Sequence, residues 1–291
     1  METSELLKKV RKIEIKTRGL SNQIFAGEYH TAFKGRGMTF SEVRDYQFGD
    51  DIRSIDWKVS ARMRSPHIKT YEEERELSMT LLLDMSASGF FGTSGMDKQS
   101  LMVEIAAILA FSAIQNNDKV GALFFTNKVE KYIPPKKGKS HILRIIREML
   151  NFEPQQQGTN IKQALDYLNS VTKKRNIVFL LSDFMDENYD KKVKMTAVRH
   201  DLVGIQLSDS FEQALPKIGL AAVVDPETGE QQWINTNDRT LQQHFSDWYQ
   251  NLYRTTKSCF EKSGAQFVQV FTHEDYVKSL IKLFKTRSNQ R

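Results

Sequence analysis

Among 291 residues there is a single cysteine, Cys259, and only six prolines. A lone thiol excludes an intrachain disulfide framework and fits a reducing compartment. No stretch reaches the ~18 to 20 consecutive apolar residues that a bilayer-spanning helix requires. The first 20 residues carry six Lys/Arg against three acids and contain no apolar signal-peptide core. These absences predict a cytoplasmic chain without a membrane span, with peripheral association at the inner membrane as the only membrane role left open. The six histidines, at 30, 67, 141, 200, 244 and 273, show no metal-ligand spacing. Gly138-Lys139-Ser140 lacks the first glycine of a phosphate-binding loop, because Ile133 stands in its place. No Gly-x-Ser-x-Gly elbow is present, and Cys259 has no matching histidine motif. No catalytic residue is therefore assigned.

What is present is enough for a folded core, with 40% hydrophobic and 27% charged residues. The net charge of +6 lies largely at the termini, where residues 278–291 hold five Lys/Arg and no acid. No aromatic-interleaved basic patch accompanies them, so a solvated terminus is preferred over a nucleic-acid or membrane surface.

The most informative stretch is the apolar run Met79 to Leu83, which ends in Asp84, Ser86 and Ser88 at alternate positions. A short, continuous apolar run reads as a strand buried on both faces of a parallel sheet. Ligands of open α/β sheets collect beyond the carboxyl ends of such strands. A second buried run, 176–181, ends in Ser182-Asp183, and Gly158-Thr159-Asn160 precedes a helix between the two. Hydroxyls of Ser86, Ser88 and Thr159 with carboxylates of Asp84 and Asp183 form an all-oxygen set, which suits Mg²⁺ or Mn²⁺.

Further strands are expected at 68–71, 120–126, 202–207 and 267–271, and helices near 98–116, 139–150, 160–172, 189–200, 238–262 and 274–286. Their alternation predicts an α/β fold with a doubly wound, mostly parallel sheet covered by helices on both faces. Residues 225–230 read as the turn of a β-hairpin inserted near 220–235. The expected division is an N-terminal helix and mixed segment with some β structure over 1–76, followed by the α/β domain over 77–291.

The ordered set Asp84-x-Ser86-x-Ser88, Thr159, Asp183 resembles the metal-ion-dependent adhesion site of von Willebrand factor A domains. Upstream, residues 40–62 contain Arg44, Tyr46, Asp50, Asp51, Arg53, Asp56, Trp57 and Arg62 in a pattern similar to the signature of the bacterial domain of unknown function 58 family. The resemblance continues through Leu215-Pro216 and 225–230, and covers about residues 25–285. It implies a von Willebrand factor A-like second part and a gene setting beside MoxR-type AAA+ ATPases. The signature residues are expected to form either internal ion pairs or a partner surface. Some relatives are membrane-anchored ahead of the signature, whereas this chain starts almost directly with it.

The expected function is a metal-dependent protein–protein interaction module rather than an enzyme. The ion would bind an acidic side chain of a MoxR-type ATPase or its client, and the chain would be an adaptor in complex maturation or chaperone-like work. The alternatives are a Mg²⁺-dependent phosphohydrolase or phosphotransferase, and a basic nucleic-acid or membrane-surface binder. A haloacid-dehalogenase-type phosphotransferase needs a second acid two residues after its nucleophilic aspartate, and Ser86 occupies that position.

Overall fold

The computed structural model describes residues 8, 10–14, 16, 38–73, 77–87, 96–224 and 231–289. The chain divides into two compact units, residues 33–77 and residues 78–291, and the helical residues 10–14 group with the second. The expected segment 1–76 is therefore divided. Lys16 is paired with Glu104 at 2.7 Å and Lys139 with Glu14 at 2.5 Å, which fastens the helical residues to the second unit.

In the second unit six strands pair in the order β10-β7-β6-β3-β4-β5. They are β3 (Ser78–Asp84), β4 (Lys119–Phe125), β5 (Val129–Lys136), β6 (Ile177–Ser182), β7 (Asp201–Ser208) and β10 (Gln266–Phe271). Every pairing is parallel except β4 with β5, which is antiparallel and irregular at two places. The sequence reading did not foresee β5, because Pro134 and Pro135 interrupt it. Proline cannot donate to a ladder and is tolerated at a sheet edge, which is where β5 lies.

Central strands β3, β4 and β6 are almost wholly buried because helices cover both faces. On one face lies helix α2 (Lys98–Gln115), buried nearly all round. Its outward Glu104 is capped by Lys16 and by the Tyr276 hydroxyl, which donates to Glu104 Oε2 at 2.6 Å. On the other face Leu82, Leu123, Val178 and Leu180 meet Ile161, Leu165 and Leu168 of α4 (Ile161–Val171), Val193 of α5 (Asp190–Arg199) and Phe260 of α7 (Arg239–Lys262). The remaining helix between β5 and α4 is α3 (Lys139–Leu150), and α8 (Tyr276–Asn289) follows β10.

Gly204 of β7 lets α7 approach the sheet. A Cβ there would stand 2.6 Å from the Phe260 ring. Between β7 and α7 the chain forms the short helix α6 (Ser210–Gln213) and the antiparallel hairpin β8 (Leu220–Val224) and β9 (Gln231–Asn235). The expected turn at 225–230 lies outside the described residues. Because β7 ends and α7 begins at the carboxyl edge of the sheet, the hairpin emerges at that edge.

The smaller unit is a two-stranded antiparallel sheet, β1 (Met38–Asp45) with β2 (His67–Glu73), joined through a 3₁₀ turn (Ile52–Ser54) and helix α1 (Trp57–Met63). Among the described residues no helix is long and apolar enough to cross a membrane.

Two outcomes follow. Gly204→Ala should lower stability by about 1–3 kcal/mol through overpacking against Phe260. Adding Phe260→Leu should recover part of that loss in urea denaturation. His200 is buried at the opposite sheet edge, where burial, then the charges of Arg199 and Arg175, depress its pKa to about 4. The unfolded chain thus binds this proton first, and the contribution of His200 to stability should fall as pH drops from about 6.5 towards about 4. His200→Gln should reduce that slope in thermal melts recorded across this pH range.

Candidate metal centre at the carboxyl edge of the sheet

Asp84 ends β3 and Asp183 follows β6, its neighbour in the sheet. Both side chains are buried, with residue exposures of 3% and 6%. Asp84 Oδ1 accepts from the Ser86 amide at 3.1 Å and from the Thr159 hydroxyl at 3.4 Å, and its Oδ2 accepts from the Ser182 hydroxyl at 2.5 Å. Four of the five predicted oxygen-bearing residues, Asp84, Ser86, Thr159 and Asp183, therefore converge. Ser88 lies outside the described residues.

Each donor is held by its own local structure. Thr159 sits between Gly158, whose φ of +85° favours glycine, and Asn160, whose side chain caps α4 by accepting from the Gln163 amide at 2.9 Å. The same loop is tied to β4 by the Asn160 amide, which donates to the Thr126 carbonyl at 2.9 Å. It is tied to the loop after β6 by the Ile161 amide, which donates to Asp186 Oδ2 at 2.8 Å. Asp183 is followed by Phe184, a bulky residue with φ of +60°, a conformation that costs roughly 1–2 kcal/mol. Its amide donates to Ser182 Oγ at 2.9 Å, and its fully buried ring packs edge-on against Phe260 and Phe267 with centroids at 5.4 and 5.6 Å. This packing holds the strained turn that aims Asp183.

Lysine 98, the first residue of α2, enters the same site. Its ammonium donates to Asp183 Oδ2 at 2.9 Å and to Glu212 Oε1 at 2.6 Å, and the residue is only 1% exposed. Burial alone would lower its pKa, but the charges of Asp183 and Glu212 together outweigh burial and hold it above the ordinary lysine value. Glu212 is fixed in turn by a capping box, in which its Oε2 accepts from the Asp209 amide at 2.9 Å. Gln206 Nε2 donates to the Asp183 carbonyl at 3.1 Å.

The sequence reading did not single out Lys98, Ser182, Gln206 or Glu212. The motif Asp209-x-x-Glu212 was a visible helix-start signal, but nothing in it announced a lysine partner. A lysine at a helix start ordinarily points to water, and only the tertiary fold buries this one.

Asp84 carries the electrostatic cost. Burial, then the negative charge of Asp183, push its pKa up to about 7, against the bonds from Ser182 and Ser86. Asp84, Ser86, Ser182 and Asp183, with Lys98, Met102 and Leu207, line a cavity of about 10 Å³, room for one water-sized body. Among the described residues no three His, Cys, Asp or Glu side chains gather as metal ligands, so any ion here depends on hydroxyls. The all-oxygen chemistry, the repelling carboxylates and the small void fit a hard divalent cation.

In the smaller unit the signature residues have local roles. Arg44 pairs bidentately with Asp50, donating from Nη2 to Oδ1 at 2.7 Å and from Nη1 to Oδ2 at 2.9 Å. Asp51 caps the 3₁₀ turn through the Arg53 amide, and Asp56 caps α1 through the Lys58 and Val59 amides while pairing with Lys69 at 3.3 Å. Tyr46 is half-buried, whereas Arg53, Trp57 and Arg62 are exposed.

Comparison with known proteins extends these observations. Residues 42–253 match the family described as "Protein of unknown function DUF58". An uncharacterized protein of Mycobacterium bovis, Mb1516, is 26% identical over 297 residues, covering 99% of this chain and 91% of that protein. The crystal structure of an aerotolerance-related membrane protein from Bacteroides fragilis, carrying multiple mutations to serines, aligns with a TM-score of 0.50 at 14% identity, over 74% of this chain and all of that one. The VWA domain of SpRpn10 aligns with a TM-score of 0.38 at 11% identity, over 74% of this chain and 95% of that domain.

Because Asp84 is ionised at the expense of folding, Asp84→Asn should raise the metal-free melting temperature at pH 8. The folded protein holds the Asp84 proton up to about pH 7, so this carboxyl contributes a fall in stability as pH rises from about 4 to about 7, opposite in sign to the His200 contribution over the same range. The variant should lack that component of the fall. Calorimetric melts in EDTA at several pH values measure both effects.

Proposed function

The chain belongs to the family described as protein of unknown function DUF58, and we propose that it acts as a metal-dependent protein–protein interaction module. The observation that carries this reading is the convergence of Asp84, Ser86 and Asp183 around a small void at the carboxyl edge of the sheet, with the Thr159 hydroxyl bonded to Asp84. In this reading Mg²⁺ or Mn²⁺ is held by the hydroxyls of Ser86 and Thr159, with Ser88 as a further donor by resemblance. Asp84 and Asp183 act directly or through water. When bound, the ion supplies an open electrophilic position for a carboxylate of another protein.

The chain's residues prepare that position without the partner. Ser182 and the Ser86 amide orient the Asp84 carboxylate, and the Met185 amide donates to Asp183 Oδ1 at 3.2 Å to orient the second. Hydroxyl ligands withdraw less charge from a cation than carboxylates do, so an ion held this way keeps more attraction for an incoming acid. The same economy argues against phosphoryl transfer, since Ser86 stands where a second acid would be needed as proton donor and acceptor.

By family resemblance the partner is a MoxR-type AAA+ ATPase or a client presented to it, which makes this chain an adaptor in complex maturation or chaperone-like work. The place of action is then the cytoplasm, including the inner face of the membrane if the assembly is membrane-bound. The aerotolerance-related neighbour is itself called a membrane protein, which supports the latter setting.

The test is affinity capture from cell extract with wild type and Ser86→Ala, each in Mg²⁺ and in EDTA, read by mass spectrometry. An ATPase retained at least about tenfold better by wild type in Mg²⁺ than under the other three conditions is expected. Equal retention under all four would remove the metal from the interaction. Retention of no specific protein would end the adaptor reading.

A further inference from the structure

Lysine 98 occupies a position that is unfavourable on three counts. It is almost completely desolvated, it sits in the first turn of α2 where the helix dipole already presents positive charge, and its ammonium lies within the set of groups suited to a cation. It is among the largest fully buried side chains of the described residues. A lysine needed only to cover apolar surface would send its ammonium to solvent. Here it is drawn inward by two carboxylates that converge from different elements, Asp183 after β6 and Glu212 on α6.

The formal charges define what that ammonium does. Asp84, Asp183 and Glu212 contribute three negative charges, and Lys98 returns one positive charge, so the ionised set carries a net charge of two minus. A divalent cation neutralises it. Without the ammonium the set would be three minus and would favour a more highly charged ion.

We infer that Lys98 is the valence-setting residue of the site: its fixed positive charge, bridging Asp183 and Glu212, tunes the carboxylate set to a divalent cation and limits how tightly that cation is held. This deepens the metal-site reading above and rests on it. Moderate retention suits a site whose ion must stay available to an outside carboxylate rather than be quenched by the protein's own. The bridge to Glu212 also links the site to α6, immediately before the segment that leads into the hairpin.

The experiment is isothermal titration of the full chain with Mn²⁺ and, separately, Tb³⁺, for wild type, Lys98→Met, Glu212→Gln and the double variant, with thermal melts to confirm folding. At pH 8 and with every carboxylate ionised, the formal site charges are two minus, three minus, one minus and two minus in that order. Lys98→Met should bind Mn²⁺ at least about tenfold more tightly and gain still more for Tb³⁺. Glu212→Gln should weaken both ions, and the double variant should return close to wild type.

If Lys98→Met does not fold, the double variant binding more tightly than Glu212→Gln carries the same conclusion. A lysine that merely held the fold together would change melting temperatures and leave the Tb³⁺ to Mn²⁺ preference alone. Equal affinities across the folded variants would therefore overturn the valence-setting role while leaving the metal site standing. Failure of wild type to bind either ion would remove the metal site itself, and this inference with it.

Discussion

Two carboxylates at the ends of adjacent, fully buried strands repel each other, and the arrangement of the carboxyl edge answers that repulsion. Asp84 and Asp183 are each less than a tenth exposed, so water screens neither. The protein surrounds Asp84 with a serine hydroxyl on one oxygen and the Ser86 amide and Thr159 hydroxyl on the other. It gives Asp183 the Lys98 ammonium. Removing one member of such a buried pair typically costs about 3–5 kcal/mol, because the survivor is left charged and dry. The helix that brings Lys98, the loop that brings Thr159 and the strained turn at Phe184 are therefore parts of one electrostatic solution.

That solution also explains why the surrounding core is built as it is. The turn at Phe184 adopts its unfavourable conformation because the ring is gripped by Phe260 and Phe267. Phe260 in turn reaches the sheet only because Gly204 has no Cβ to oppose it. Packing on the α7 face thus fixes the direction of a carboxylate at the sheet edge. On the other face α2 is buried nearly all round, so it cannot rotate Lys98 into solvent without uncovering apolar surface.

Much of this was legible in the amino-acid order. The buried strands announced themselves as short apolar runs, and the helices between them by their spacing, because local pattern and tertiary burial agree there. The hairpin was expected near 220–235, and its strands, Leu220–Val224 and Gln231–Asn235, fall on that interval. β5 was hidden because its two prolines argue against any strand, and only its edge position makes them acceptable. β1 was hidden for a different reason: its mixed polar sequence has no clean alternation, and its ladder slips between Phe40 and Glu42. Helix α1 was masked by the signature itself, in which Asp56 reads as one more charge in a cluster until it is seen capping the Lys58 and Val59 amides.

The oxygen donors were legible for the reason that Lys98 was not. Asp and Ser at alternate positions after an apolar strand are set by local order, and the chain direction alone carries them to the sheet edge. The lysine depends on three separate events: the helix must be capped by Asp97, its face must be apolar enough to bury its first turn, and Glu212 must be delivered from a capping box 114 residues later. No local pattern encodes that coincidence. A charge in such a place persists only because its partners are supplied, and a fold that supplies two carboxylates to one dry ammonium has balanced the charge of this edge rather than merely filled it.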